Sequence, residues 1–416
     1  MNYKEIVKKY TPKFLLKLYY FLWALLGAII FCFPGKSKKM KIIGVTGTSG
    51  KSTTVDLITK ILEEAGEDAA SISSIRFKVG KKEWANKYKM TMPGRLVIQK
   101  LLSQAKKAKC KYVVLEVTSE GIKQFRHKFI NFDMAVFTNL TPEHIESHGG
   151  FDNYRNEKLK LFNNTKNIHV INFDDENAKY FLNVPAKQKI SFSMNDIEKV
   201  ELSESYSLFR LNGTEFIVQL LGGFNIYNCL SAIKVAEAYG VDLEICKKAL
   251  EEAKGISGRM EVISTSPIKV IVDYAHTPEQ LEAVYKTFNH SAGSERGESL
   301  ICVLGSCGGG RDKWKRPVLG EIAKKYCKEI IITNEDPYDE DPMEIMSQVA
   351  KTAGPKAEKI LDRREAIEKA VALAKTGESV IITGKGSEPW MCLENGRKIP
   401  WDDRQIAREA LGKTKK

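Results

Sequence analysis

Residues 41–54, KIIGVTGTSGKSTT, set a short apolar run directly before a glycine-rich loop that carries one lysine and several hydroxyls. Ile42, Ile43 and Val45 suit a buried strand, and Val55, Leu57, Ile58, Ile61 and Leu62 then recur at helical spacing until Gly66 stops them. Strand, loop and helix in this order predict a parallel sheet with helices on its faces, since parallel strands need a crossover between them. The loop also reads as a phosphate cradle. N–H groups from Gly47, Thr48, Ser49 and Gly50 would face anionic oxygens, with Thr53 continuing the cradle into the helix. Lys51 would reach terminal phosphates, and the Ser52 hydroxyl suits Mg²⁺.

A chain of 416 residues is long enough for two or three domains. From residue 41 to about 257, apolar strands are predicted at 112–117, 134–137 and 168–171. A β-rich insertion or edge follows over 186–221, and then a helix over 223–238 with Asn225 as its cap. A second αβ series has strands predicted at 270–272, 300–304, 330–333 and 380–383. The expected division is an N-terminal apolar segment 1–39, an ATP-binding domain 40–257 and a C-terminal domain 258–416, and two αβ units imply a cleft between domains.

Lysine and arginine exceed aspartate and glutamate by 65 to 52, a net charge of +13. The lysines are scattered, with one concentration around the N-terminal apolar segment, so a nucleic-acid groove is not expected. The eight cysteines contain no CxxC pair and lie mostly in apolar runs, which predicts reduced core thiols. Residues 18–33, LYYFLWALLGAIIFCF, are uninterrupted apolar sequence flanked by Lys8, Lys9, Lys13 and Lys17 and by Lys36, Lys38, Lys39 and Lys41. That run is short against the roughly 20 residues that span a bilayer. Two readings stay open: a helix anchored at or on a membrane, and a helix packed on the protein body or a partner. Either way the catalytic body belongs on the cytoplasmic side, where ATP is.

Glu116 closes a predicted strand beside the phosphate loop, where a Mg²⁺ ligand or general base would sit. His144 and His148 are four apart, but Ile145 follows the first histidine where a zinc-protease motif needs glutamate. A magnesium-site histidine is the better functional reading. Lys158 reads on pattern alone as one more lysine on a solvated helix.

Ten stretches stand in an order that resembles the Mur ligase family, closest to its tripeptide-synthetase type. They are GVTGTSGKSTT, LEVTSEG, FTNLTPEHIESHG, YRNEK, GGFNIYN, SGRMEVI, DYAHTP, GGGRDKWKRP, GKGSE and WDDR. The resemblance implies an α/β fold: a P-loop central domain with a mostly parallel sheet, then a C-terminal Rossmann-like domain, preceded here by the apolar helix. It implies a monomeric, ATP- and Mg²⁺-dependent amide ligase that makes an acyl phosphate from a muramoyl-peptide-type carboxylate and adds an amino acid, with small-molecule partners only. Catalytic roles fall to Lys51, Glu116, His144 and Lys158, and magnesium to Ser52, Glu116, His144 and Lys158, the last of which the family carbamylates. Asn225, Arg259, Asp273, His276, Arg311, Asp312 and Lys313 match the ATP and acyl-phosphate side. Thr91, Thr118, Ser119, Arg126, Arg316, Asp336, Tyr338, Gly384 and Glu388 match the substrate side.

Three departures matter. The family's UDP-binding domain precedes the phosphate loop, whereas here about forty residues do, which raises a lipid-linked donor as an alternative. Glu335-Asp336-Pro337-Tyr338 replaces the Asp-Asn-Pro-Arg of diaminopimelate-adding members, so an acidic pocket for lysine or a similar diamine is expected. Ser387 and Glu120 stand where the family usually has histidine, and Met92 replaces the second threonine of Thr-Thr-Pro. A folylpolyglutamate-synthase-like ligase is the related alternative. A membrane-associated P-loop switch is the alternative of another class, and it would have no use for Lys158.

Overall fold

The computed structural model describes residues 11–88, 90–203, 205–289 and 300–414. The chain divides after Lys254 into two compact units. In the first, helix α1 (Lys13–Ile30) precedes strand β1 (Lys41–Thr46) and helix α2 (Lys51–Glu64). α1 starts five residues ahead of the apolar run, after Pro12, and its end is set by Cys32 and Phe33 in the left-handed region. It packs on α3 (Arg95–Lys107) within this unit.

The main sheet has eight strands. Five parallel neighbours form around β1: β2 (Ala69–Ile72), β5 (Tyr112–Glu116), β6 (Met134–Phe137), β7 (Ile168–Asn172) and β8 (Gln188–Phe192). β3 (Arg76–Val79) and β4 (Lys82–Ala85) add an antiparallel flap beyond β2. β1 lies between β5 and β6, so the phosphate loop, Glu116 and Thr138 leave the sheet at the same edge. The 186–221 segment expected as a β-rich insertion divides in two. β8 joins the main sheet as a parallel edge strand, while β9 (Ile197–Leu202), β10 (Ser207–Leu211) and β11 (Thr214–Val218) form a separate antiparallel sheet. Hydrophobic burial explains the split: Phe209, Leu211, Phe216 and Val218 close the same core as the apolar faces of α2 and α8 (Gly223–Glu237). Asn225 is not the cap of α8. The helix starts from Gly222, and Asn225 lies in the first turn, donating from its amide to the Leu221 carbonyl at 2.8 Å.

The second unit is a six-stranded sheet in the order β12 (Glu261–Ser264), β13 (Lys269–Val272), β17 (Ser379–Ile382), β14 (Leu300–Leu304), β15 (Glu329–Thr333), β16 (Ala357–Ile360). Only β12 is antiparallel. Helices α11 (Lys315–Tyr326), α12 (Pro342–Ala353) and α13 (Arg363–Leu373) connect its strands, a short hairpin of residues 390–400 follows, and α14 (Asp403–Thr414) ends the chain. The expectation of reduced cysteines is corrected here. Cys302 of β14 and Cys327 at the end of α11 form a disulfide, because the chain turns back into β15 beside β14 and brings their Cα atoms to 6.0 Å. Cys110, Cys229, Cys246 and Cys392 are buried free thiols, and Cys32 is exposed.

Candidate active site

The phosphate loop owes its shape to two glycines and to the end of β6. A Cβ on Gly47 would lie 1.9 Å from Thr138 Oγ1. One on Gly50, at φ +80°, would lie 2.3 Å from Asn228 Oδ1, so neither position admits a side chain. Thr48 N–H donates to the Asn139 carbonyl at 2.9 Å, Ser49 N–H to Asn139 Oδ1 at 2.8 Å, and Thr138 Oγ1 to the Ser49 carbonyl at 2.7 Å. Thr48 Oγ1 accepts from Thr141 N–H at 3.0 Å, and Lys51 Nζ folds over the loop onto the Thr48 carbonyl at 2.7 Å. Thr53 is buried in the first turn of α2.

Ser52 and Glu116 meet directly. Ser52 Oγ donates to Glu116 Oε2 at 2.9 Å, and Ser74 N–H donates to the same oxygen at 2.9 Å. Ser74 had no signature in the sequence, because the β2–β3 turn that carries it is brought in only by strand order. His144 takes a left-handed conformation (φ 57°) at the start of α5 (Ile145–His148), with Nε2 3.6 Å from Glu143 Oε1. Its ring centroid lies 6.3 Å from that of His148, whose Nδ1 is 3.0 Å from the His144 carbonyl. Among the described residues no group of three or more His, Cys, Asp or Glu side chains is placed to hold a metal.

Lys158, on α6 (Phe151–Asn164), is the largest departure from its surface reading. It is 2% exposed and donates to the Gly47 carbonyl at 2.6 Å, behind the phosphate loop. Burial pushes its ammonium pKa well down, with Lys51 adding to the effect and Glu143 and Glu116 opposing it. Lys158 is therefore within electrostatic reach of Glu116, which pairs with Ser52, and of Glu143, which pairs with His144. A helical pattern could not show this, since nothing local tells a buried lysine from a solvated one.

On the substrate side of this unit, Thr118 caps α4 (Ser119–Lys123), its Oγ1 accepting from Gly121 N–H at 3.1 Å, and Ser119 is buried. Arg126 donates to the Met92 carbonyl, to Gln124 Oε1 and to Met90 Sδ, so its contacts fall on the residues either side of Thr91; burial, with help from Arg95, lowers its pKa to about 10. Asn225 and Asn228 form a buried pair beside Gly50.

In the C-terminal unit Asp273 does not cap a helix. Its carboxylate accepts from Met260 N–H at 2.7 Å and Ala275 N–H at 2.6 Å, and burial raises its pKa against the pull of Arg259. Arg259 stacks 4.0 Å from the Tyr274 ring centroid, and Tyr274 donates to Glu388 Oε1 at 3.1 Å. His276 is held by the Tyr274 carbonyl at 2.9 Å, and its own carbonyl accepts from Lys315 Nζ. Asp312 is buried, while Lys313 lies at the surface 3.1 Å from Glu340. Both terminal nitrogens of buried Arg316 are committed, to Gln348 and to Glu340 and the Cys307 carbonyl.

The loops after β15 and β17 converge on Lys385, which sequence reading left unassigned within GKGSE. It is fully buried and donates to Asp336 Oδ2 at 2.8 Å and Glu388 Oε2 at 2.7 Å. Gly384, at φ +107°, lets Glu335 approach; a Cβ there would sit 2.1 Å from Glu335 Oε2. The Tyr338 ring packs against Gly309. Arg363 fastens both loops from below, donating to the Asn334 and Thr383 carbonyls and bidentately to Asp403 of the WDDR stretch.

Residues 45–236 match the Mur ligase middle domain, and residues 258–386 match the Mur ligase, glutamate ligase domain. A UDP-N-acetylmuramoyl-L-alanyl-D-glutamate--2,6-diaminopimelate ligase of Syntrophomonas wolfei is 39% identical over 94% of this chain and 82% of its own length. The chain belongs to the Mur ligase family. A UDP-N-acetylmuramyl-tripeptide synthetase of Roseiflexus is 34% identical over 93% of this chain and 81% of that relative. A solved diaminopimelate ligase is similar with TM-score 0.60 at 31% identity, covering 91% of this chain and 80% of that one. A folylpolyglutamate synthase of Mycobacterium tuberculosis shares the fold with TM-score 0.70 at 16% identity, over 87% of this chain and 92% of that one.

This Mur ligase is an ATP-dependent amide-bond-forming enzyme. Its central unit has the donor set that a magnesium ion takes: the Ser52 hydroxyl and Glu116 carboxylate are hard oxygen ligands already in contact, beside a glycine cradle that a single Cβ would fill. Bound there, magnesium would neutralise charge on the phosphates, and Lys51 would bind and orient them; the Thr48 and Ser49 N–H groups, expected to face phosphate, are instead taken up by Asn139.

Proposed function

We propose that this Mur ligase adds an amino acid to the carboxylate of a muramoyl-peptide-type donor in peptidoglycan precursor synthesis, working as a cytoplasmic monomer. The donor carboxylate oxygen attacks the terminal phosphorus of ATP, the bond to ADP breaks, and an acyl phosphate forms. The amine nitrogen of the incoming amino acid then attacks the acyl carbon, phosphate leaves, and the nitrogen loses a proton as the amide forms. The observation that carries this reading is Lys158, sealed behind the phosphate loop on the Gly47 carbonyl. A nucleotide switch has no role for such a residue. A buried amine held toward its neutral form is the nucleophile that carbon dioxide needs, and the resulting carbamate would turn a disfavoured cation into an anionic oxygen ligand beside Glu116 and His144. The remaining assigned residues keep the roles that the resemblance implies: Thr91, Thr118, Ser119 and Arg126 on the donor, and Asn225, Arg259, Asp273, His276, Asp312 and Lys313 on ATP and the acyl phosphate. Arg316 acts through the Glu340 side of the amino-acid loops.

The amino acid is lysine or a similar diamine. Asp336 and Glu388 share one internal cation, Lys385, while Glu335 stands against Gly384 and accepts from Cys307 Sγ, and Tyr338 offers no charge to a second carboxylate. Phosphate release measured across donors and amino acids tests both halves. Release that requires donor and lysine together supports the reading; equal or faster release with diaminopimelate overturns the amino-acid assignment, and ATP hydrolysis indifferent to both substrates overturns the ligase reading. The bare apolar face of α1 favours a second reading of the donor as lipid-linked, which strong turnover of the soluble donor alone would remove.

A further inference from the structure

We propose that α1 docks the central unit on an anionic lipid surface by lying in the membrane plane, and does not cross the bilayer. This goes beyond the ligase reading and does not depend on which donor is used. One stripe of the helix is spent on the protein body. Ala24, Gly27 and Ala28 are buried, and Leu16 and Tyr20 continue the same face at helical spacing. A Cβ on Gly27 would lie 3.3 Å from Leu96 of α3, and the Arg95 guanidinium stacks 4.3 Å from the Tyr20 ring centroid. The exit from the helix is pinned as well, since Asn131 N–H donates to the Gly35 carbonyl at 2.8 Å and a Cβ on Gly35 would meet the Phe129 carbonyl at 2.6 Å.

The opposite stripe is large and apolar. Phe14, Leu18, Leu22, Leu26, Ile29 and Ile30 are between 43% and 68% exposed. That is a continuous apolar strip along a helix of about 27 Å, at 1.5 Å per residue. Charge selects the occupant. Residues 11–40 contain Lys13, Lys17, Lys36, Lys38 and Lys39 and no aspartate or glutamate, so the segment is basic before and after the strip, with Lys13 and Lys17 at the spacing of the packed stripe and Lys36 Nζ 5.0 Å from the Phe33 ring centroid. A second copy placed on the strip would set lysines against lysines in either direction, whereas an anionic headgroup layer meets both ends with opposite charge. Packing selects the orientation. A spanning pose would carry α3, bound along the helix flank, into hydrocarbon together with its exposed Lys100, Lys106 and Lys107. An in-plane pose sinks the apolar strip below the headgroups and leaves α3 on the water side.

The test uses the full chain with phosphatidylglycerol-containing vesicles and pure phosphatidylcholine vesicles. Flotation with the first, weaker flotation with the second, and release by salt are expected. The double substitution Leu22→Glu, Leu26→Glu should lower partitioning by about tenfold or more while phosphate release in solution and the melting temperature stay as in the parent. Brominated lipids read the depth of Trp23, with Trp23→Phe as background: quenching stronger from bromines near the glycerol supports the in-plane pose. Quenching stronger from bromines at the bilayer centre overturns that pose. Absence of flotation with both vesicles, or a detergent-free dimer that the double substitution dissociates, overturns lipid as the occupant.

Discussion

Lys158, on α6 of the central unit, and Lys385, in the loop after β17 of the C-terminal unit, are both buried, and their surroundings are opposite. Lys158 points at a neutral carbonyl, with Lys51 as the larger charge acting on it and carboxylates only at a distance. Lys385 is gripped by two carboxylates, and Asp336 is held in turn by Cys392 N–H at 2.7 Å. A buried cation held only by a carbonyl and the Tyr154 ring is poised to change state, whereas one with two carboxylate partners is a pin whose loss strands the anions around it. The central unit thus gathers positive charge, Lys51 and Lys158, around its glycine loop. The C-terminal unit pairs its buried cations internally, and uses Lys385 and Arg363 to set the loops after β15 and β17.

Substitutions can break this contrast. Lys158→Ala should lower donor- and amino-acid-dependent phosphate release by about 10³-fold, the scale of losing an electrostatic element of a transition state, while thermal unfolding shows the melting temperature unchanged or raised. Retained turnover would place Lys158 among structural residues. Lys385→Met should do the reverse to stability, costing about 3 kcal/mol in denaturant unfolding because Asp336 and Glu388 lose their shared counter-ion. The pair Lys385→Met, Asp336→Asn should recover part of that loss, and an equally large loss in the double variant would refute the pairing account.

A third test sharpens the contrast within the central unit, where His127 is buried without a charge partner. Burial drops its pKa to about 3, with Lys128 and Lys160 adding to the effect. The folded state therefore holds the neutral ring. Its contribution is complete above the unfolded value near 6.5 and is lost as pH falls from there toward 3. By pH 5 the loss should be about 2 kcal/mol, and His127→Gln should flatten that part of the stability curve. An unchanged slope in the variant would show that another group carries the acid sensitivity. The smallest effect is expected at Glu388→Gln, which should raise the KM for lysine by about tenfold with kcat nearly unchanged, if Glu388 serves the side-chain amine as well as Lys385. A change in kcat alone would assign it to the chemistry instead.

Much of the fold and part of the site were legible in the chain. The strand before the phosphate loop, the strands 134–137 and 300–304 and the glycine cradle follow from local pattern, because alternation, helical spacing and glycine's conformational freedom act over a few residues. Ser74, Glu143 and Asn139 were not legible. Ser74 meets Glu116, Asn139 meets Ser49 and Glu143 acts on Lys158 only through strand order or a loop return, and a lone serine or glutamate carries no mark of that. The disulfide failed for the same reason: Cys302 and Cys327 become neighbours only where α11 turns back along β14.

The apolar segment divides along the same line. Composition alone determined that 18–33 would be apolar, flanked by positive charge and built around a helix, which runs from Lys13 to Ile30. Only packing decided which stripe of it is spent on α3 and which is left bare, since that depends on where α3 and the Phe129 loop stand. Lys158 makes the point for the chemistry. Its place in the helix was set by the sequence, but its burial, and with it the energetic cost of its charge, arises only where α6 closes over the phosphate loop. Local periodicity follows from the backbone, whereas the desolvation of a charge is a property of everything folded around it.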